Sequence, residues 1–402
     1  MNLNYMAIAV PFFLFFVGLE YWFSKRLNRS VYNFNSSIAN MNVGIAERLI
    51  DMFTAAGFFF FYDYLHNRFA IFDIKPTLLM WIALILSTDL IWYWYHRMGH
   101  KVNLFWGFHV VHHTSEEFNY TAGTRITFFQ ALIRTLFWSV LPVIGFPASM
   151  ITTMLIVHGL YPFFTHTQLI GKLGILEYIL VTPSHHRVHH ASNEAYLDKN
   201  FGDMFIIWDK LFGTFAEEKE EVRYGLTKQL NSYSFLWQHF HYLVELWYLA
   251  KQKTGTWNKI KLVFGSPSDF DPQVRAIVEQ KFLSRHKVRV RSQKFRIYVL
   301  CQFTVMIIAL FLILLLEHHT DQFLQIMSAS MILLTLLNCG AILEQRRWVF
   351  FLELIRGLFL AVTTFHYFPH PTTLVFLTLL TIASLVYFST LEKQYLNSIY
   401  GR

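Results

Sequence analysis

Eleven of the chain's nineteen histidines fall between residues 96 and 190, more than twice what an even spread would place there. Their spacing is regular. His96 and His100 form HxxxH; His109, His112 and His113 form HxxHH; His186, His189 and His190 form a second HxxHH. Residues four apart on a helix share a face, with about 5–6 Å between Cβ atoms, so both imidazoles of the first unit can point into one space. In HxxHH the first and second histidines share a face while the third is turned by about 100°, so one unit can serve two neighbouring ions. Eight nitrogens around a shared volume suit two metal ions with open positions better than one. A structural zinc site is complete with about four ligands, which this set exceeds.

Carboxylates are the natural partners of such a set, because a metal-bound imidazole usually donates its other N–H to one. Asp89 lies seven residues before His96, two helical turns away and so on the same face. An ionisable residue that deep in an apolar run is a functional candidate by default. Asp198, Asp203 and Asp209 follow the third unit, and Asp198 and Asp203 are the candidates there for supporting the site rather than capping a loop. Glu116, Glu117 and Asn119 follow the second unit, either behind the ligands or as a helix cap. The scattered histidines His66, His239, His241, His286, His318, His319, His366 and His370 read as hydrogen-bonded interfacial residues.

The elements that must position these groups are membrane helices. Charged residues make up 15% of the 402 and hydrophobic ones 54%, with a mean hydropathy of +0.35; a soluble domain carries roughly 25% charged residues. Apolar runs able to span about 30 Å of hydrocarbon lie near 6–23, 43–62, 76–95, 297–316, 321–343, 349–368 and 370–389, and 126–166 reads as a hairpin split by "PVIGFP". "MNLNYMAIAV" lacks the basic start of a signal peptide, so the first span is expected to remain as an anchor. The fold class expected is an all-α polytopic membrane protein with a cytoplasmic, histidine-rich cap over a two-metal site. Its divisions are N-terminal anchors (1–95), a catalytic region with a membrane hairpin (96–296) and a C-terminal four-span block (297–402).

The net charge of +8 does not point to nucleic acid, because the basic residues sit beside spans: Lys25, Arg26 and Arg29, the run 284–296, and Arg346 with Arg347. By the positive-inside rule these mark the cytoplasmic side, and alternation of the spans then puts every histidine unit there. The membrane would be the endoplasmic reticulum in a eukaryote and the inner membrane in a bacterium. Cys301 and Cys339 are too few and too deep in spans for a disulfide framework or a thiolate metal site. Any metal is therefore held by nitrogen and oxygen. Imidazole accepts iron, zinc or copper, and the membrane setting with open coordination positions favours iron and O₂. The aromatic stretch 230–252 carries Trp237, Phe240, Leu243, Val244 and Trp247 on one stripe, an interfacial helix or a packing surface.

"HRMGH", "HVVHH" and "HHRVHH" resemble the three histidine boxes of the fatty acid hydroxylase/sterol desaturase superfamily of membrane di-iron enzymes. Within it the chain is most similar to the alkylglycerol monooxygenases, from about residue 80 to 230 and again around "EQRRWVFFLELIRGLF". The resemblance implies that His96, His100, His109, His112, His113, His186, His189 and His190 hold two iron ions. It adds His166, in "FFTHTQ", as a ninth ligand. His158 has no counterpart and reads as a core residue or one behind the ligands; His185 adjoins the third box one residue out of register. The implied reaction uses O₂ to hydroxylate the alkyl carbon beside an ether oxygen, releasing a fatty aldehyde and a glycerol derivative. Electrons would come from tetrahydrobiopterin or an electron-donor protein. Lys101 stands where those enzymes typically carry an acid, a departure that points to another reductant or another lipid. Two alternatives stay open: hydroxylation or desaturation of a fatty acyl, sphingoid or sterol substrate, and a non-catalytic metal-binding membrane protein. Oligomeric state is not legible in the sequence.

Overall fold

The computed structural model describes residues 4–271, 273–283 and 293–401. Among them the chain is helical, with two isolated β-bridges, Leu180–Phe205 and Ala191–Tyr224, and no strand. Six helices are long and apolar enough to cross a membrane: Met6–Arg26, Leu78–Lys101, Ala148–Thr165, Gln293–Leu315, Gln322–Leu343 and Val349–Tyr367. The basic run 284–296, apart from its last four residues, and His286 lie outside the described residues.

The chain divides into two compact units. One comprises residues 16–231 and 237–284 and holds every box histidine. Its positioning helices are α1 (Ala9–Arg26, from residue 16), α2 (Phe34–Phe69), α3 (Leu78–Lys101), α4 (Asn103–His109), α5 (Phe128–Phe137), α6 (Ala148–Thr165), α7 (Pro183–His189) and α8 (Phe235–Gln252, from residue 237). α3 starts where the Thr77 hydroxyl accepts the Met80 N–H at 3.3 Å. It ends with His100 and Lys101 in the last turn, where basic side chains suit the helix dipole. The hairpin break falls at Gly145, with φ +131°, where a Cβ would lie 2.0 Å from the Phe72 carbonyl oxygen. Only glycine fits so close an approach in that conformation.

Tyr62, Leu84, Trp92, Trp138, Leu141 and Ile151 form the core between these helices. Lipid tails are as apolar as leucine, so within a bilayer shape packing and polar ties, rather than hydrophobic burial, hold helices together. Such ties are present: Tyr62 donates to the Thr135 carbonyl at 2.6 Å, and Trp138 Nε1 donates to the Thr88 carbonyl at 3.3 Å.

The expected span at 43–62 is the middle of the 36-residue α2 and is not among the six apolar helices. Its buried Glu47 pairs with Arg134 at 3.0 Å and with Arg48, which reaches Asp51 at 3.1 Å. Those charges, and the buried Asn35, Asn40 and Asn42, make the first half of α2 a polar wall of the cap. The expected interfacial reading of His239 and His241 is also corrected. Both are buried: His241 lies on the Trp237 face, which packs against Leu230, Val274 and Val278, and His239, on the opposite side of α8, stacks on Phe128 at 5.2 Å.

The other unit comprises residues 1–15, 232–236 and 285–402. Within it lie α9 (Gln293–Leu315), α10 (Gln322–Leu343), α11 (Val349–Tyr367), α12 (Pro371–Val386) and α13 (Phe388–Tyr400), the last two bent by 78° where one span was expected at 370–389. Sequence reading found no chemistry in this block, yet it contains a polar knot. Glu353 Oε1 accepts from Tyr298 (2.8 Å), Gln302 (3.1 Å), Asn338 (2.5 Å) and Tyr395 (2.9 Å), while Oε2 meets Arg356 at 2.9 Å. So many donors satisfy the carboxylate and pin four helices together.

Candidate metal centre

The box histidines assemble into two pockets. In one, His96, His100, His109, His113 and His189 each bring a ring nitrogen within 4.8 Å of all the others; in the second, His112, His166, His186 and His190 do the same. The pockets share a wall, since the His190 ring lies 4.5 Å from both His112 and His113. All nine sequence-selected histidines are therefore brought together. One detail differs from the spacing argument. It is the outer two of each HxxHH, four residues apart, that share a pocket, and the middle one turns to its neighbour. Four residues advance a helix by about 40° past a full turn, whereas three fall about 60° short, so the outer pair is better aligned.

Local sequence explains the placement. α3 delivers His96 and His100 one turn apart, and a corner at Val102 starts α4, which delivers His109. A 3₁₀ turn over Val110–Thr114 then carries His112 and His113. Thr182 caps α7 with Pro183 in its first turn, where a missing N–H costs nothing. His185 completes that cap through its Nδ1, 3.3 Å from the Thr182 N–H, and so lies outside both pockets. Asn119 caps the short helix Tyr120–Gly123, accepting from the Thr121 N–H at 3.0 Å.

The Nδ1 atoms define the chemistry. His96 Nδ1 donates to the Phe201 carbonyl (2.8 Å), His189 to that of Lys199 (3.0 Å), His112 to that of Arg125 (3.3 Å) and His166 to that of Pro162 (2.6 Å). A carbonyl only accepts, so each of these rings carries its proton on Nδ1 and directs a bare Nε2 lone pair into its pocket. His112 and His166 bring those Nε2 atoms to 3.3 Å of each other. Two lone pairs at that distance repel unless a cation sits between them, so the donor set fits a metal. His109, held by the Gln130 side chain at 3.0 Å, faces His96 in the same way at 3.0 Å. Burial, reinforced by neighbouring imidazoles, pushes His112, His113, His186, His189 and His190 well below the usual histidine range; burial takes His109 down to about 3 and His166 to about 4. Neutral imidazole is the form that binds metal.

The three candidate carboxylates take different places. Asp198 faces His100 Nδ1 at 3.5 Å and pairs with Lys101 at 2.5 Å. Burial would raise this carboxyl, but His100 and Lys101 outweigh it and hold it at about 2. Asp89 touches no box imidazole. It accepts from His158 Nε2 (2.8 Å), the N–H groups of Met204 (2.9 Å) and Phe205 (3.0 Å), and Trp208 Nε1 (2.9 Å). Asp203 meets His158 Nδ1 at 3.1 Å. Two more supports carry weak sequence signals. Asp209 accepts the N–H groups of Phe201 and Gly202, each at 2.7 Å. Arg125 is fully buried and straps the Val111 carbonyl (2.8 Å), Asn40 (2.8 Å), Gln238 (3.1 Å) and Thr114 while its own carbonyl holds His112. A charged residue in the apolar stretch 120–140, whose charged residues are Arg125 and Arg134 alone, was the available clue.

Residues 81–214, which contain all nine histidines, match the fatty acid hydroxylase family. Alkylglycerol monooxygenase of Homo sapiens is 32% identical over 369 residues, 88% of this chain and 81% of the relative. That of Danio rerio is 30% identical over 362 residues, 88% and 80%. The chain belongs to the alkylglycerol monooxygenase family. An ornithine lipid hydroxylase of Rhizobium tropici is 30% identical over 124 residues, 31% of this chain and 38% of the relative. No solved structure matches the chain. Membership in this family, together with the six apolar helices, makes the chain an integral membrane oxidoreductase.

Gly123 tests the second pocket. A Cβ there would lie 3.1 Å from His166 Cγ and 3.2 Å from its Nδ1, so Gly123→Ala must move the ring by a few tenths of an ångström. We expect metal in that pocket to be held about 10–100-fold less tightly, read by iron retention against a competing chelator. Retention equal to wild type would refute the role of His166 as a ligand.

Proposed function

We propose that the two pockets hold two iron ions and that the chain is a non-haem di-iron monooxygenase of ether lipids. The observation that carries this reading is the convergence of nine imidazoles, eight of them buried, with the Nδ1 of His96, His109, His112, His166 and His189 bonded outward so that their bare Nε2 atoms face the pockets. Bound there, the two irons would supply the activation of O₂. The alkyl carbon beside the ether oxygen takes one oxygen atom as hydroxyl, and the other leaves as water with two electrons and two protons from the reductant. The resulting hemiacetal breaks its C–O bond to give a fatty aldehyde and a glycerol derivative.

The chain's own residues keep the imidazoles neutral, fix their rings and exclude water. The exposed edge is at His100, where Trp106 packs 4.9 Å from the ring and the Lys101–Asp198 pair meets solvent. Lys101, although paired with Asp198, makes this edge less negative than the acid typical of the family would, which suits an anionic lipid headgroup or reductant better. This supports a reductant other than tetrahydrobiopterin, from a donor protein or another small molecule. In this reading the catalytic region is 96–296, anchored by 1–95 and by the four-span block 297–402, and the site faces the cytoplasm, at the endoplasmic reticulum or the bacterial inner membrane.

The test is to purify the protein, count iron, and supply alkylglycerol, reductant and O₂. About two irons per chain and release of fatty aldehyde are expected. Absence of iron sinks the metal reading. Iron without aldehyde sinks the substrate alone, and mass spectrometry of a treated lipid extract then identifies a hydroxylated acyl, sphingoid, sterol or ornithine lipid.

A further inference from the structure

We propose that His158, clamped between Asp89 and Asp203, is the positioning residue of the five-histidine pocket and not of its neighbour. The inference rests on the two-metal reading above. His158 is 2% exposed in the middle of α6, and each of its ring nitrogens faces a carboxylate: Nε2 lies 2.8 Å from Asp89 and Nδ1 3.1 Å from Asp203. Nε2 is hydrogen-bonded to Asp89, while Nδ1 and Asp203 Oδ2 are in ion-pair contact without hydrogen-bond geometry. One ligand atom from each of Asp89, His158 and Asp203 lies within 4.8 Å of the others, but the two carboxylates meet opposite ring nitrogens, an arrangement that suits a bridge between helices. The group is an ionic bridge rather than a third metal site.

The bridge grips one loop. Asp203 belongs to the segment 198–205, and Asp89 also accepts the N–H groups of Met204 and Phe205. That segment supplies the Lys199 carbonyl for His189 and the Phe201 carbonyl for His96. Both imidazoles belong to the five-histidine pocket. In the four-histidine pocket the corresponding acceptors are Arg125, on the far side of the second box, and Pro162, inside α6, neither of which is in the loop. The clamp thus ties α3 and α6 to the loop, and the loop's carbonyls serve the five-histidine pocket only. Removing one member of a buried ion bridge leaves uncompensated charge and frees what it held. Asp209 continues to hold Phe201 and Gly202, so the pocket loosens rather than dissolves.

The experiment uses the full chain in detergent, loaded with iron(II). Wild type, His158→Gln and Asp203→Asn are titrated with a competing chelator while iron is counted. In both variants one of the two irons is expected to leave at about 10–100-fold lower chelator strength, with the other unchanged. Two irons loosened equally, as a general folding defect would give, or none loosened, overturns the proposal. Gly123→Ala, which presses on the other pocket, should loosen the complementary iron, so that its combination with His158→Gln loosens both. A wild-type chain that takes up no iron overturns the two-metal reading instead. Hydrogen exchange on the metal-free protein then decides the clamp: faster exchange at Met204 and Phe205 in His158→Gln upholds it, and unchanged exchange refutes it.

Discussion

Alanine at His112 or at His189 is expected to abolish lipid oxidation while leaving the chain inserted in the membrane. The two residues test one pocket each. His112 serves the four-histidine pocket and His189 the five-histidine one, and each ring is fixed by a single Nδ1 bond to a backbone carbonyl. Groups one layer behind a metal ligand already matter by about 10–100-fold. Loss of the ligand itself should therefore cost at least about 100-fold in turnover. Insertion depends on the apolar helices, and neither histidine lies in one of the six. The carbonyl each variant leaves without its donor costs about 1–3 kcal/mol, within a stability reserve of about 5–15 kcal/mol. Aldehyde formed per chain in washed membranes, set against chain resistant to alkaline extraction, separates the two effects. Turnover near wild type in either variant would refute the assignment of ligands.

The contrast between legible and illegible parts of this site has a physical cause. The eight box histidines could be found by spacing because helix periodicity makes neighbours of residues three and four apart. Their division between two pockets followed the same periodicity once four was weighed against three. Asp89 could be singled out because an acid is costly in an apolar helix. Its partner His158 is 69 positions away, and nothing in either segment announces the pairing. The Nδ1 acceptors were the least legible. Phe201, Lys199, Arg125 and Pro162 act through carbonyl oxygens that every residue carries, so their role depends on loop course alone. The 43–62 stretch was read as lipid-facing from its apolar residues. Arg48 pairs with Glu47 and Asp51 within α2 itself, but the tertiary partner of Glu47 arrives only when α5 brings Arg134 beside it.

Metal removal should have the second large effect, on stability as well as activity. Stripping the protein with a chelator leaves the Nε2 atoms of His112 and His166 at 3.3 Å and those of His96 and His109 at 3.0 Å, each ring with its proton committed elsewhere. Those lone pairs then repel across a buried space that excludes water. The folded state loses the binding free energy that an ion contributes to it alone, about 4 kcal/mol per pocket at a thousandfold excess over Kd. At roughly 2–4 °C per kcal/mol for a unit of this size, the unfolding midpoint should fall by on the order of 10 °C or more. Iron(II) should restore it, and magnesium should not, because a hard cation prefers oxygen ligands to a shell of imidazoles. Thermal unfolding of stripped, iron-reloaded and magnesium-treated protein measures this directly. If stripped protein melts with the reloaded sample, or if magnesium serves as well as iron, the pockets are packed histidine clusters and the metal reading fails, because only a nitrogen-seeking ion relieves the repulsion that the Nδ1 bonds impose.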